Sequence, residues 1–265
     1  MPELPEVECG RRQAERALLG KHIERVATTA DAIVFDGVTP RRFAAALRGR
    51  RVEAVGRRGK HLWFALDRRP WPTFHYGMTG SFQVYRDVAE RPRFWKFELL
   101  ATDGTRLAMP NARRLGRIRL REDPRHEPPI SGLGFDTLDD LPGPAKFAEL
   151  VRRRKAPIKA VLMDQSFAAG VGNWIADEVL FQAGVAPQRR AHELEPEEIR
   201  RIRTRLSAIV RKAVAVDADK EQFPKSWLFH RRCGKNADAV TSRGDRITHV
   251  TIGGRTTAWV PTIQH

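Results

Sequence analysis

At 265 residues and 41% hydrophobic composition, the chain is long enough for two compact domains or one large one. Its 48 Lys and Arg against 32 Asp and Glu give a formal net charge of +16, which favours a polyanionic partner, most simply nucleic acid, although a ribosomal or membrane-surface protein carries charge of the same sign. No apolar run reaches the roughly 18 residues of a membrane span, and two cysteines, Cys9 and Cys233, exclude a four-cysteine zinc site, give no disulfide framework and fit a reducing interior.

The chain opens Met1-Pro2-Glu3-Leu4-Pro5-Glu6-Val7-Glu8. It lacks the apolar core of a signal peptide and the Arg/Ser richness of a transit peptide. Pro2 permits removal of Met1, which exposes a secondary α-amine. With a reference pKa of about 8, part of such an amine is neutral and nucleophilic near neutral pH. Attack on a sugar aldehyde carbon gives an iminium that is always cationic, a strong electron sink for elimination. Glu3 and Glu6 lie beside it to handle protons. The same residues also read as an ordinary helix start, with Pro in the first turn and acids at the positive end.

Residues 5–19 form a predicted helix with Val7, Ala14, Ala17, Leu18 and Leu19 as its apolar stripe and Gly20 as its end. Short runs follow at 23–28, 51–55, 61–66, 73–76, 81–85, 94–100, 106–109 and 115–120, separated by turn residues, and predict an antiparallel sandwich or barrel. The leading helix is expected to pack on it and present Pro2 to a groove. Arg57-Arg58-Gly59-Lys60 reads as a solvated basic turn before a strand. His75-Tyr76-Gly77-Met78-Thr79-Gly80 reads as a Gly-permitted turn beside a buried Met, and Asn111-Ala112-Arg113-Arg114-Leu115-Gly116 as a second basic turn. Pro, Gly and charge between 121 and 143 mark an interdomain linker.

Helical character begins at Ala145, with a segment at 147–154 and another from Pro157. In Ala168-Ala169-Gly170-Val171-Gly172-Asn173-Trp174 a Gly-rich turn enters a helix, whose first backbone N–H groups can grip a phosphate. Glu195-Pro196-Glu197-Glu198 opens a helix with Ile199, Ile202, Leu206, Ile209, Val210 and Ala213 on one face. Residues 246–252, the turn Gly253-Gly254 and residues 255–260 read as a β-hairpin. Cys233 with His230 and His249 lacks paired C-x-x-C spacing, so no metal is expected. His22, His61, His126 and His192 show no site pattern.

The opening Pro-Glu-Leu-Pro-Glu-Val-Glu resembles the N-terminus of the formamidopyrimidine-DNA glycosylases, base-excision repair enzymes; Leu4 stands where the endonuclease VIII branch has Gly. The Ala168–Leu180 stretch resembles the helix–two-turn–helix signature of the same family. The resemblance implies Pro2 as Schiff-base nucleophile, Glu3 as proton donor and Glu6 in support. It places Lys60 on a phosphate beside the lesion, where it assists elimination, and His75 near the backbone. Met78, Arg113 and Leu115 fill the void left by an everted base, with Leu115 where an aromatic wedge is common. Arg154, Lys159 and Asn173 become DNA contacts, and Arg255 the fingertip arginine that bridges phosphates and assists the second elimination. Most relatives end in a four-cysteine zinc finger; here only Cys233 remains, and the hairpin implies a zincless finger held by residues such as Trp259, Val250 and Ile252. The short segment 216–226 stands where good 8-oxoguanine enzymes carry a longer loop.

The expected fold is α+β: an N-terminal helix and antiparallel sandwich in 1–131, a helix–two-turn–helix domain in 132–225 and the zincless finger in 226–265. The expected function is a bifunctional glycosylase and abasic-site lyase acting on oxidised purines, without cofactor, on damaged double-stranded DNA. A monomer associated with DNA inside the cell is expected, with no membrane. The alternatives are a non-catalytic DNA- or RNA-binding protein on the same scaffold and an oxidised-pyrimidine glycosylase of the endonuclease VIII type.

Overall fold

The computed structural model describes residues 2–233 and 239–265. The chain divides into two compact units, Met1–Gly132 and Leu133–His265.

The first unit starts with α1 (Leu4–Leu18). Glu3 is its N-cap, and a reciprocal capping box joins Glu3 and Glu6: the Glu6 carboxylate accepts the Glu3 N–H at 3.0 Å and the Glu3 side chain accepts the Glu6 N–H. Pro5 in the first turn gives up an N–H that the helix does not need. Leu4, Val7, Ala14, Ala17 and Leu18 are buried, so the apolar stripe faces the core as the sequence predicts except at its end, where Leu19, the C-cap, is 48% exposed. Strands β1 (Ile23–Thr28), β2 (Val52–Arg58), β3 (His61–Leu66), β4 (Trp71–His75), β5 (Gln83–Tyr85), β6 (Trp95–Ala101), β7 (Arg106–Pro110) and β8 (Arg117–Arg121) form two antiparallel four-stranded sheets, ordered β1-β6-β7-β5 and β2-β3-β4-β8. A second helix, α2 (Pro40–Leu47), was not expected. Thr39 caps it by accepting the Arg42 N–H, and Phe43 and Leu47 anchor it. The core is aromatic. Phe43, Phe64, Phe74, Phe82 and Phe97 are all buried, and Phe74 stacks on Phe97 with ring centroids 5.2 Å apart; each such pair contributes about 0.5–1.5 kcal/mol beyond its buried area.

The second unit holds β9 (Phe135–Asp136), α3 (Pro144–Arg152), α4 (Ile158–Met163), β10 (Ala168–Ala169), α5 (Asn173–Ala183), α6 (Pro196–Ala215), β11 (Thr248–Ile252) and β12 (Arg255–Trp259). β9 pairs in parallel with β10, so part of the expected linker is structured. The six apolar residues predicted for one face of α6 are all buried. Trp174 at the start of α5 packs with Phe223, Trp227 and Phe229, with Phe223 centroids 5.0–5.6 Å from the other rings. β11 and β12 pair from Thr248↔Trp259 to Ile252↔Arg255, and Gly253 and Gly254 turn between them at φ 56° and 70°. A two-residue turn with both φ values positive suits the twist of a hairpin and favours glycine.

The hairpin lies within the second compact unit. Its apolar core is Leu228, Ile247, Ala258 and Val260, packed with Phe181 of α5, whereas Trp259 and Val250 are only half-buried and Ile252 alone of the three named residues is buried. A two-stranded ribbon has no interior, so its stability comes from the helix it lies on.

Candidate functional site

Pro2 directly precedes the N-cap of α1 and is half-buried, while Glu3 is 1% exposed. The helix start and the candidate nucleophile are therefore one structure. The capping box fixes the backbone on which the Pro2 amine sits, and it places two carboxyl groups at the positive end of the helix.

Lys60 occupies the second position of the tight turn Gly59-Lys60 joining β2 to β3, with Gly59 at φ 54°. Arg57 is not part of a solvated turn. Its side chain is 1% exposed and its Nε donates to Glu8 Oε2 at 3.0 Å, while Nη1 donates to the Gly59 carbonyl at 3.3 Å. Glu8 also accepts from Arg11 and Arg12. Burial pushes the Glu8 carboxyl up, but bonds from Arg11 and Arg57 outweigh it and hold it below its ordinary value. A buried ion pair thus ties the helix bearing Pro2 to the turn bearing Lys60. Sequence reasoning missed Glu8 and Arg57 because nothing local marks a partner 49 residues away.

His75 on β4 pairs with His61 on β3, ring centroids 4.8 Å apart. Burial, with Lys60 and Arg119 nearby, lowers His75 to about 4; burial, His75, Arg119 and Lys60 lower His61 to about 3. Both are neutral at physiological pH. The Gly77 N–H donates to His75 Nδ1 at 3.2 Å, so the neutral ring carries its proton on Nε2 and offers a donor without charge. His61, expected to have no role, is therefore part of the environment of His75 and Lys60.

The turns bearing Met78 and Arg113–Leu115 are clamped together. Asn111 is fully buried; its Nδ2 donates to the Tyr76 carbonyl at 2.9 Å and its Oδ1 accepts the Gly116 N–H at 3.1 Å. A Cβ on Gly77 would lie 2.4 Å from the Leu115 carbonyl, so this contact demands glycine. Arg114 folds back onto buried Asp31, which also holds Lys96 at 2.8 Å, and burial there is outweighed by Arg114 and Lys96, keeping the Asp31 carboxyl well below its usual range. Arg113 and Leu115 are left exposed, Leu115 by 42%, and Met78 is half-buried. Asn111→Ala is expected to cost about 2 kcal/mol in chemical denaturation, from two lost hydrogen bonds to buried groups, and to weaken binding to a duplex with a flipped base roughly tenfold.

In the second unit Gly172 caps α5, Gly170 has φ 98°, and Asn173 starts the helix. The Asn173 side-chain amide donates to the Thr256 carbonyl of β12 at 3.0 Å. Arg154 is half-buried, paired with Asp164 at 3.3 Å and stacked over Phe167. Arg255 is exposed at the hairpin tip. Lys159 corrects its expected role. It is 0% exposed, and its Nζ donates to Asp177 and to Thr257 Oγ1, because its position on α4 faces the interior with Ile158 and Leu162.

Glu178, next to Asp177 on α5, is also fully buried and accepts the Phe229 N–H at 2.8 Å. Burial raises its carboxyl to about 7, with bonds from Gln182 and Phe229 offsetting part of the rise and the Asp177 charge adding to it. A folded-state pKa above the ordinary 4.5 stabilises below that value and is lost as pH rises towards 7. Glu178→Gln is therefore expected to be more stable than wild type at pH 8 by up to about 3 kcal/mol and to show no advantage near pH 4.5. Urea denaturation at the two pH values measures this.

Among the described residues no helix is long and apolar enough to cross a membrane, and no group of three or more His, Cys, Asp or Glu is arranged to hold a metal. The N-terminal domain model of formamidopyrimidine-DNA glycosylase matches residues 1–118, and its H2TH domain model matches residues 133–225. The chain belongs to the formamidopyrimidine-DNA glycosylase family. Within that family, the formamidopyrimidine-DNA glycosylase of Arabidopsis thaliana is 40% identical over 277 residues, with 100% of this chain and 71% of the relative covered. That of Geobacter metallireducens is 31% identical over 269 residues, covering 100% of both. A solved structure of MutM with carbocyclic 8-oxo-G containing DNA matches with TM-score 0.86 at 25% identity over 100% of both chains. The Lactococcus lactis enzyme with FAPY-dG containing DNA matches with TM-score 0.86 at 25% identity over 99% of this chain and 100% of that one.

Proposed function

We propose that this protein is a bifunctional DNA glycosylase and abasic-site lyase that removes oxidised purines from double-stranded DNA. The observation that carries the reading is the Pro2-Glu3 pair at the capped start of α1, tied through Glu8 and Arg57 to the turn of Lys60. A base inside a duplex is out of reach, so it is flipped out and its place filled by Met78, Arg113 and Leu115 of the clamped turns. Lys60, His75, Asn173 and Arg255 serve the phosphates around the kink. The Pro2 nitrogen attacks C1′, the glycosidic bond breaks and the base departs. Glu3 protonates the ring oxygen as the sugar opens, with Glu6 holding the Glu3 backbone. The iminium draws electrons from the C2′–H bond, expelling the 3′-phosphate, and then from C4′–H, expelling the 5′-phosphate. Water then hydrolyses the C1′–Pro2 iminium, which releases the unsaturated sugar fragment and frees the amine, and a one-nucleoside gap with phosphate ends remains. The chemistry uses no cofactor.

Segment 216–226 supports a preference among lesions. It is short, with one helical turn at Lys220–Gln222 and Phe223 buried against Trp174, while most of its other residues are exposed. Little chain is left to close over a flipped base, which favours ring-opened formamidopyrimidines and hydantoins over 8-oxoguanine. On matched duplexes, guanidinohydantoin and formamidopyrimidine are expected to leave at least tenfold faster than 8-oxoguanine; 8-oxoguanine as the fastest substrate would overturn this preference. The test of the class is borohydride trapping on a duplex with an abasic site. A covalent adduct is expected. Binding without an adduct would leave a damage-binding protein in place of an enzyme.

A further inference from the structure

Relatives with a metal-held finger raise the question of what holds this one. The described residues do not fit a metal. Cys233 is exposed, His249 Nε2 lies 3.2 Å from the Arg232 carbonyl, and His230 Nε2 lies 3.3 Å from the Phe223 carbonyl. The apolar core under the hairpin is small, with Leu228, Ile247, Ala258 and Val260 as its fully buried members. A hairpin with so little beneath it needs another tether to keep its tip in one place.

A polar tether is present, and it converges on one carboxylate. Asp177 of α5 is 1% exposed. Its Oδ1 accepts from Lys159 Nζ; its Oδ2 accepts from Arg232 Nε and Nη2 at 3.0 and 2.7 Å and lies 3.4 Å from the Ala258 amide nitrogen of β12. Lys159 Nζ also donates to Thr257 Oγ1 at 2.7 Å, and that hydroxyl donates to the Arg255 carbonyl at 3.3 Å. Asn173 holds the Thr256 carbonyl. Four successive residues of β12, from Arg255 to Ala258, are thus each fixed at a backbone or side-chain atom. The tip itself rests on α4: a Cβ on Gly253 would lie 3.6 Å from Ala160 and from Met163. The Arg255 side chain extends from this fixed backbone and remains exposed.

We propose that the Asp177–Lys159–Arg232 cluster does in this finger what a bound metal does in others, and that Asp177, Lys159 and Thr257 are positioning residues for Arg255. This rests on the reading above that Arg255 meets DNA. Two cations share one carboxylate at the centre of the cluster, each donor faces an oxygen, and the chain of bonds ends on the carbonyl of the residue it serves. It also accounts for a lysine that is 0% exposed. A buried ion cluster of this kind costs desolvation, and its return is a defined geometry more than stability.

The experiment compares wild type, Arg255→Ala, Asp177→Asn and the near-isosteric Thr257→Val, alone and combined with Arg255→Ala. An abasic duplex gives the ratio of δ- to β-elimination product, and an uncleavable abasic analogue gives the salt dependence of binding. Arg255→Ala is expected to lower the δ share at least fivefold and to reduce the slope of log K against log salt by about 0.9, one phosphate contact. Asp177→Asn and Thr257→Val are expected to lower the δ share by threefold or more and reduce the slope in the same direction, with the β-elimination rate within twofold of wild type. Adding either to Arg255→Ala is expected to change neither readout further. Thr257→Val removes no charge and adds no volume to speak of, so it reports even where Asp177→Asn fails to fold. Wild-type δ share and slope in a folded Thr257→Val, or additivity with Arg255→Ala, would overturn the proposal. So would loss of the δ share on treatment of wild type with a metal chelator. If Arg255→Ala itself changes neither readout, the reading of Arg255 as a DNA contact has failed, and the positioning role falls with it.

Discussion

Protein that retains Met1 is expected to form no borohydride-trapped adduct, and Pro2→Gly to lower base excision about a thousandfold, roughly 4 kcal/mol of barrier. The two changes separate what the residue supplies. An amide nitrogen is not a nucleophile, so a retained Met1 removes the attacking group and leaves Glu3, Lys60 and the DNA-contacting turns in place. Glycine keeps an amine, but a primary one. Its imine is cationic only when protonated, whereas the iminium of a secondary amine has no neutral form. Pro2→Gly is therefore expected to lose most in base excision and to keep measurable trapping on a preformed abasic site, where the aldehyde is already available. Mass spectrometry fixes which N-terminus is present in each preparation. Equal trapping by processed and Met1-retaining protein would show that another amine does the chemistry, and Lys60 would be the first to examine.

The features legible in the sequence were those carried by short-range pattern. The stripe of α1 apart from exposed Leu19, the alternating strands, the six-residue face of α6 and the Gly253-Gly254 turn each follow from spacing and turn chemistry, and each is found where expected. α2 was not legible because it is one short helix with Arg41 and Arg42 in its first turn and two anchors, Phe43 and Leu47, too few to show a period. Charged residues were misread for a different reason. Arg57 and Lys159 look like solvent-facing cations in any local window, and what buries them is a carboxylate 49 residues before one and 18 residues after the other. Asn111 passed as part of a basic turn because its two partners are backbone atoms. A sequence rich in Arg and Lys hides its structural cations among its functional ones. Only the position of the carboxylates tells them apart.

Glu8→Ala is the substitution expected to cost most in stability, about 3–5 kcal/mol, the range for removing one partner of a buried ion pair. The Arg57 side chain, 1% exposed, would lose its Glu8 carboxylate, and Arg11 and Arg12 would lose the same acceptor. Replacing both members, Glu8→Met with Arg57→Met, removes both charges at similar volume and is expected to recover most of that loss, since a buried pair seldom outperforms apolar packing in net stability. The two variants then divide stability from function. If the pair exists to set α1 against the turn of Gly59 and Lys60, the double variant refolds to near wild-type denaturation midpoint yet keeps a lowered rate constant on a preformed abasic site, with DNA affinity little changed. Recovery of both midpoint and rate in the double variant would show that packing alone places Pro2 and that the pair has no part in aligning it with Lys60. Full loss of folding in the double variant, with Glu8→Ala folded, would point instead to Arg57 as a residue the hairpin needs for its Gly59 carbonyl bond at 3.3 Å.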